Sequence, residues 1–216
     1  HLSIRRQRQM CIRDSQNTKE EFNSMFFKFQ KLVSLLVMPI GVGIFIFSNL
    51  ITEILLGPQW LEASSFIGIW GLTSAITIVL AHYASEVYRS IGKPKLSVLS
   101  QWLHIIVLCP ILLIFVQKGY SSLCMARALV RLELVLVQLI LMGVVVKMDV
   151  WKMIQNVLPS TLAASAMLLI LLLPSSESIL QQFAYIFVCV CIYFIVIMMF
   201  PEERKLCSNL KSIIKR

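Results

Sequence analysis

Six long apolar runs follow one another from Leu32 to the C-terminal tail, with only short gaps between them. An α-helix of about 20 residues rises about 30 Å, which is the thickness of the hydrocarbon core of a bilayer. Strands that cross a membrane instead alternate apolar and polar residues over about ten positions, and these runs do not alternate. The sequence therefore predicts an all-α, polytopic membrane protein with six transmembrane helices in residues 32–200.

Each run is long enough to cross the bilayer once. The predicted spans are Leu32–Thr52, Ala63–Ser85, Leu96–Gln117, Ser121–Val146, Met153–Leu173 and Ile179–Phe200. The hydrophobic fraction of 58% exceeds the roughly 45–50% that is typical of soluble domains, which agrees with this interpretation.

Lysine and arginine are concentrated in alternate gaps. The gap after the second span holds Arg89, Lys93 and Lys95, and the gap after the fourth holds Lys147 and Lys152. The positive-inside rule places this basic side in the cytoplasm, together with both termini of the multi-pass chain. Membrane topology thus accounts for the net charge of +9, and we expect no binding to nucleic acid.

Two segments flank the predicted transmembrane region on its N-terminal side. Residue 1 is His rather than Met, so we expect a fragment of a longer protein. Residues 1–16 are expected to be an artefact of translated adapter sequence or a disordered cytoplasmic segment. In residues 17–31, large apolar side chains recur at helical spacing beside lysines, which predicts an interfacial amphipathic segment, a simple extension of the first span being the alternative. On the C-terminal side of the transmembrane region, residues 201–216 form the predicted basic cytoplasmic tail.

Three charged residues lie within the fourth span, where a charge costs about 2.5–3.5 kcal/mol on insertion scales. Arg127 and Arg131 are four residues apart and share a helix face, whereas Glu133 points elsewhere, toward another helix. Because guanidinium groups bind phosphate oxygens in a bidentate manner, the two arginines suit a pyrophosphate or an acidic sugar. As an alternative, Arg127 extends to the outer headgroups; Arg131 is one turn deeper, which favours a cavity.

Histidines and a local charge pair complete the list of candidate residues. His82 and His104 are able to titrate in a transport cycle, and a hydrogen-bonded packing role is the alternative for both. Glu86 and Arg89 are three residues apart, which predicts a local helix pair. The predicted substrate-binding set is Arg127, Arg131, Glu133 and His82.

Catalytic and metal-binding motifs are not recognisable in the sequence. No nucleophile–base pair or phosphate-binding loop is present. The cysteines lie in or near apolar runs or on predicted cytoplasmic segments, where they indicate neither disulfides nor a metal site. We therefore expect a transporter rather than an enzyme, without catalytic residues, metal or cofactor.

The connecting turns carry motifs of a known family. Leu55–Ala63 reads Leu-Leu-Gly-Pro-Gln-Trp-Leu-Glu-Ala and resembles the external-turn signature Leu-Leu-Gly-x-x-Trp-x-x-Ala of polysaccharide and lipopolysaccharide O-antigen exporters. Pro39 and the Gly-Lys-Pro turn within Arg89–Lys95 are similar to features of the same family. These exporters are the Wzx-type lipid-linked oligosaccharide flippases, relatives of the MATE transporters. Gly119–Ser122 departs from their Gly-x-x-Gly because Ser122 replaces the second glycine, so close helix packing is less assured there.

The resemblance covers roughly residues 22–216 and implies the C-terminal part of a two-lobed flippase. It implies that an undecaprenyl-pyrophosphate-linked oligosaccharide crosses the bacterial inner membrane by alternating access, for polysaccharide or lipopolysaccharide biosynthesis. The implied partners are this glycolipid, the lipid bilayer and the missing N-terminal lobe of the same protein. The alternatives are a MATE-like exporter of small cations, a membrane-embedded polymerase or ligase acting on the same lipid carrier, and a non-catalytic membrane scaffold.

Overall fold

The computed structural model describes residues 2–173 and 178–204, with the backbone alone for residues 2–19. These residues are helical almost throughout, and no strand occurs in the two ranges. The α-helices are α1 (Leu2–Ile46), α2 (Ser48–Leu56), α3 (Ser64–Thr77), α4 (Ala84–Ser90), α5 (Lys95–Val116), α6 (Tyr120–Leu141), α7 (Val150–Ala166) and α8 (Ile179–Met198). The intervening 3₁₀ segments are Pro58–Ala63 and Met167–Leu172, and the π-helical segments are Ile78–His82 and Met142–Val146.

Within the described ranges, six helical stretches are long and apolar enough to cross a membrane, which confirms the predicted fold class. They are Glu20–Ile46, Pro58–Ser90, Lys95–Val116, Tyr120–Val146, Val150–Leu172 and Ile179–Met198. The helix of the first predicted span is interrupted at Phe47, where φ is −100° and ψ is 24°, and α2 follows this break. The second span likewise contains a π-helical turn between α3 and α4.

The segments predicted to flank the spans are described only in part. The α1 backbone begins at Leu2 and so includes most of residues 1–16. Farther along α1, Phe22 and Phe26 pack against a cluster of buried side chains, whereas Met25 and Phe29 are exposed. The interfacial location of residues 17–31 stays a prediction. Most of the basic tail, residues 205–216, lies outside the described residues.

Helix α1 lies at the centre of the bundle, against α3 and α7, while α6 packs on α3, α5 on α6, and α8 on α7. Gly41 permits the close approach of α1 to α3. A Cβ atom at this position would overlap the Cβ of Ala75 and lie 3.2 Å from the carbonyl oxygen of Gly71. Small residues at crossing points allow helix backbones to approach closely in membranes, where hydrophobic burial does not drive helices together.

Two of the three turns that the topology predicts to be external share one backbone conformation. Gly57 ends α2 with φ 93° and ψ 166°, and Gly119 precedes α6 with φ 96° and ψ 167°. This region of backbone space is essentially restricted to glycine, because a Cβ atom clashes there. Pro58 follows as the first residue of its 3₁₀ segment, a position that suits its fixed φ.

A buried polar network ties α4, α5 and α6 together. The Tyr88 hydroxyl donates to Gln138 Oε1 at 2.7 Å, and Gln138 Nε2 donates to Ser100 Oγ at 3.0 Å. All three residues are buried. Because lipid offers no alternative partners for these groups, the network fixes the register of the three helices.

Candidate functional site

The candidate site is built where α6 crosses α3. Arg127 and Arg131 project from the same face of α6, as their spacing predicted, and both guanidinium groups lie over the indole ring of Trp70 in α3. The guanidinium carbon is 5.4 Å from the ring centroid for Arg127 and 4.3 Å for Arg131. Both distances fall within the range of about 6 Å for cation–π attraction, which is strongest over tryptophan.

Ser74, one helical turn after Trp70, binds the deeper arginine. Its hydroxyl donates to the carbonyl oxygen of Trp70 at 2.6 Å and accepts a hydrogen bond from Arg131 Nη1. A serine hydroxyl has one hydrogen to donate and two lone pairs that accept, so both bonds can exist together. Arg131 is therefore held by a ring face and a hydroxyl, with no carboxylate paired to it in the described part of the chain.

Arg127 retains an unused donor. Its Nη1 atom is buried, yet it has no hydrogen-bond partner within residues 2–173 and 178–204. Leaving a buried polar donor unsatisfied costs roughly 1–3 kcal/mol, and more for a charged group. An anionic group that reaches this nitrogen would therefore replace an unfavourable arrangement with a charge-assisted hydrogen bond.

A groove of about 340 Å³ runs between α1 and α3 beside the two arginines. Trp70 and Ser74, the residues that hold the guanidinium groups, form part of its wall. The rest of the wall is apolar or small, and it includes Gly41 and Gly71. Cationic donors thus lie immediately behind the wall of an apolar groove.

Glu133 lies apart from the arginines, as the sequence predicted. Its Oε2 atom is 2.8 Å from Nδ1 of His104 in α5, in an ion pair between helices if the histidine is protonated. The exposed fractions of the two side chains are 9% for His104 and 23% for Glu133. This contact supports the packing alternative for His104 and gives Glu133 a partner other than a substrate.

His82 is not brought to the arginine pair. It ends the π-helical turn of the second span, is exposed, and meets the ring of Tyr83 edge-on with centroids 5.6 Å apart. The predicted pair of Glu86 and Arg89 is confirmed at 3.1 Å, with both side chains largely exposed. A role of His82 in binding substrate stays a prediction.

Trp70 and Ser74 are the residues that the sequence did not single out. Neither is charged, and an aromatic residue near a serine inside an apolar span is an ordinary packing feature. Their importance follows from the packing of α3 on α6, and the hydrogen bond from Arg131 to Ser74 joins positions 57 residues apart. The arrangement as a whole presents fixed guanidinium donors, the chemistry of binding phosphate or carboxylate.

Comparison with known protein families gives a match to the N-terminal part of the chain. The family model described as "Polysaccharide biosynthesis protein" matches residues 12–65, which include most of α1, all of α2 and the Leu55–Ala63 motif. No curated protein and no solved structure matches the chain. The match supports a relationship with this polysaccharide biosynthesis family and, with the six apolar helices, fits a membrane protein of polysaccharide synthesis or export.

Proposed function

We propose that the chain is part of a flippase that carries an undecaprenyl-pyrophosphate-linked oligosaccharide from the cytoplasmic to the external leaflet of a bacterial inner membrane. The observation that carries this proposal is the pair of arginines on Trp70, one of which has an unused buried donor. Charged residues inside membrane bundles usually face the interior or a water-filled cavity and mark substrate pathways. A diphosphate would use both guanidinium groups at once.

The mechanism we assign is alternating access. The six helices form one lobe, and an opposing N-terminal lobe completes a cationic cavity between them. Rocking of the two lobes exposes Arg127 and Arg131 first to the cytoplasmic leaflet and then to the outer one. The basic gaps around Lys93 and Lys147 remain in the cytoplasm with both termini.

A MATE-like exporter of small cations fits the site less well. Such a protein needs a free carboxylate at cavity depth, and Glu133 is already bonded to His104. Two adjacent guanidinium groups would also repel a cation. A polymerase or ligase would need a substantial external loop for its catalytic residues, and the predicted external turns around Gly57 and Gly119 are short.

Complementation of a bacterial strain that lacks its own flippase tests the proposal. A full-length chain, including the opposing lobe, should restore surface polysaccharide, whereas Arg131→Ala and Arg131→Glu should not. Arg89→Ala is the matched control, because Arg89 is exposed and pairs locally with Glu86. Membrane levels of each variant are measured by immunoblot. If both Arg131 variants export normal amounts of polysaccharide, the assignment is wrong.

A further inference from the structure

A second polar feature lies at the end of the bundle, away from the arginine pair. It is a cleft of about 600 Å³ between α1, the start of α7 and the residues that follow α8. The cleft is lined by Glu20, Asn23, Ser24, Phe27, Lys28, Lys31, Asp149, Lys152, Asn156 and Glu202. Because consecutive spans alternate in direction, it opens on the same membrane face as the exposed Lys93 and Lys95.

Part of the charge in this cleft is neutralised within the protein. Lys31 is buried and forms ion pairs with Glu202 at 2.7 Å and Glu203 at 3.0 Å. Asp149 caps α7, since its Oδ1 atom accepts a hydrogen bond from the backbone N–H of Lys152 at 3.0 Å. These groups set the shape of the cleft and have their own partners.

Two lysines on opposite walls remain without a carboxylate partner. Lys28 of α1 and the Lys152 side chain of α7 are both exposed, and neither has an ion pair within the described ranges. The ammonium group of Lys152 lies 5.0 Å from the ring centroid of Phe27, which holds it against the cleft wall. Asn156 joins the walls, because its Nδ2 atom donates to the Phe27 carbonyl oxygen at 2.8 Å.

The remaining carboxylate of the lining is distant from this lysine pair along the helix. Glu20 precedes Lys28 by about two helical turns, or roughly 12 Å of rise. Around the amide of Asn156, the cleft therefore has two lysines without an ion pair, beside the Asp149 carboxylate that caps α7. It lies where apolar spans end, which is the depth of the phospholipid headgroups.

From this geometry we propose that the cleft binds the headgroup phosphate of an anionic phospholipid, with Lys28 and Lys152 on either side of the phosphate. Basic pockets between transmembrane helices on the cytoplasmic side are suited to anionic headgroups. The acyl chains would continue into the bilayer beside α1 and α7. This site is separate from the proposed transport site and does not depend on it.

Native mass spectrometry of the chain from nanodiscs with a defined lipid mixture tests the proposal. Wild-type protein should retain phosphatidylglycerol in preference to phosphatidylcholine. In the double variant Lys28→Gln/Lys152→Gln we expect the affinity for phosphatidylglycerol to fall roughly tenfold. Lys28→Arg/Lys152→Arg should retain the lipid, which separates loss of charge from misfolding.

Lys93→Gln/Lys95→Gln is the matched control, because it removes two exposed lysines from the same membrane face. It should retain phosphatidylglycerol like the wild type. An equal loss of phosphatidylglycerol in the two lysine-to-glutamine double variants would show that the lipid is attracted by surface charge in general. That result would overturn the proposal. Thermal stabilisation by inorganic phosphate equal to that by phosphatidylglycerol vesicles would identify a soluble anion as the ligand and would also overturn it. No oligosaccharide is present, so the outcome is independent of the proposed transport.

Discussion

The Tyr193 hydroxyl of α8 donates a hydrogen bond of 2.7 Å to the backbone carbonyl oxygen of Leu35 in α1. In a regular α-helix, the backbone N–H of residue 39 would donate to the Leu35 carbonyl oxygen. Residue 39 is proline and has no N–H, so this carbonyl lacks its helical partner. Leu35 and Tyr193 are buried in the same apolar cluster. Proline is tolerated inside a membrane helix when a neighbouring helix satisfies the freed group, and Tyr193 does so here.

The Tyr193→Phe variant should therefore be less stable than the wild type by about 1 kcal/mol. The cost should shrink in a Pro39→Ala background, where the introduced alanine supplies a backbone N–H to the Leu35 carbonyl. Unfolding by SDS in mixed bicelles measures the free energy of all four chains. An equal cost of Tyr193→Phe in both backgrounds would contradict the link between the proline and the tyrosine.

Gly41→Ala should destabilise the bundle by about 1–3 kcal/mol, since the added methyl group would overlap Ala75 across the α1–α3 crossing. Gly43→Ala is the control, because a Cβ at that position meets nothing within 4 Å. Both changes raise helix propensity equally, so the difference between the two free energies of unfolding isolates the steric term. Similar stability for the two variants would count against the close approach.

The His104–Glu133 contact should hold α5 to α6. We expect His104→Ala and Glu133→Ala to be non-additive, with a coupling energy of about 1 kcal/mol in a double-mutant cycle. The same unfolding assay gives the four free energies. Ser100→Ala with Glu133→Ala serves as the comparison pair, because Ser100 bonds to Gln138 instead. Additive costs for His104 and Glu133 would show that their contact contributes nothing to helix association.

Trp70→Leu should lower export of polysaccharide roughly tenfold in the complementation assay, because it removes the ring that positions both guanidinium groups. Trp70→Phe should retain more activity, since a phenyl face still attracts a cation. Trp102→Leu is the control, a change of the same kind at a tryptophan that is 61% exposed on α5. Equal export by Trp70→Leu and Trp102→Leu would remove Trp70 from the site.

The orientation of the chain can be measured with cysteine probes in a version whose native cysteines are replaced by serine. A membrane-impermeant maleimide added to intact cells should label Gln59→Cys and Lys118→Cys, and should spare Lys93→Cys until the cells are opened. The reason is that the positive-inside rule keeps the basic gaps in the cytoplasm. Labelling of position 93 with sparing of position 59 would invert the topology.

The helical class and the six spans were predictable because apolar length alone decides them. The face shared by Arg127 and Arg131, and the different direction of Glu133, also followed from helical spacing. The partners of these residues did not follow. Ser74 and Arg131 are 57 positions apart and His104 and Glu133 are 29 apart, so their contacts depend on which helices pack together. Hydropathy carries no information on that choice, since lipid and helix interior are equally apolar.

Local irregularities were equally hidden. The break at Phe47 and the π-helical turn at Ile78–His82 interrupt predicted spans that contain no Asp, Glu, Lys or Arg. The hydrogen bond from Tyr193 to Leu35 was predictable only in part. Pro39 signals that some neighbouring group must satisfy a carbonyl, but the donor is 158 residues away in sequence.

The conformation of Gly57 shows how much the Leu55–Ala63 motif can indicate about the transported molecule. At φ 93° and ψ 166° only an achiral residue is free of steric penalty, and Gly119 meets the same demand in a turn that lacks the motif. A chain that reverses direction this way needs glycine whatever molecule it transports. The glycine of the motif is therefore required by the shape of the turn. Side chains elsewhere must determine which substrate is transported.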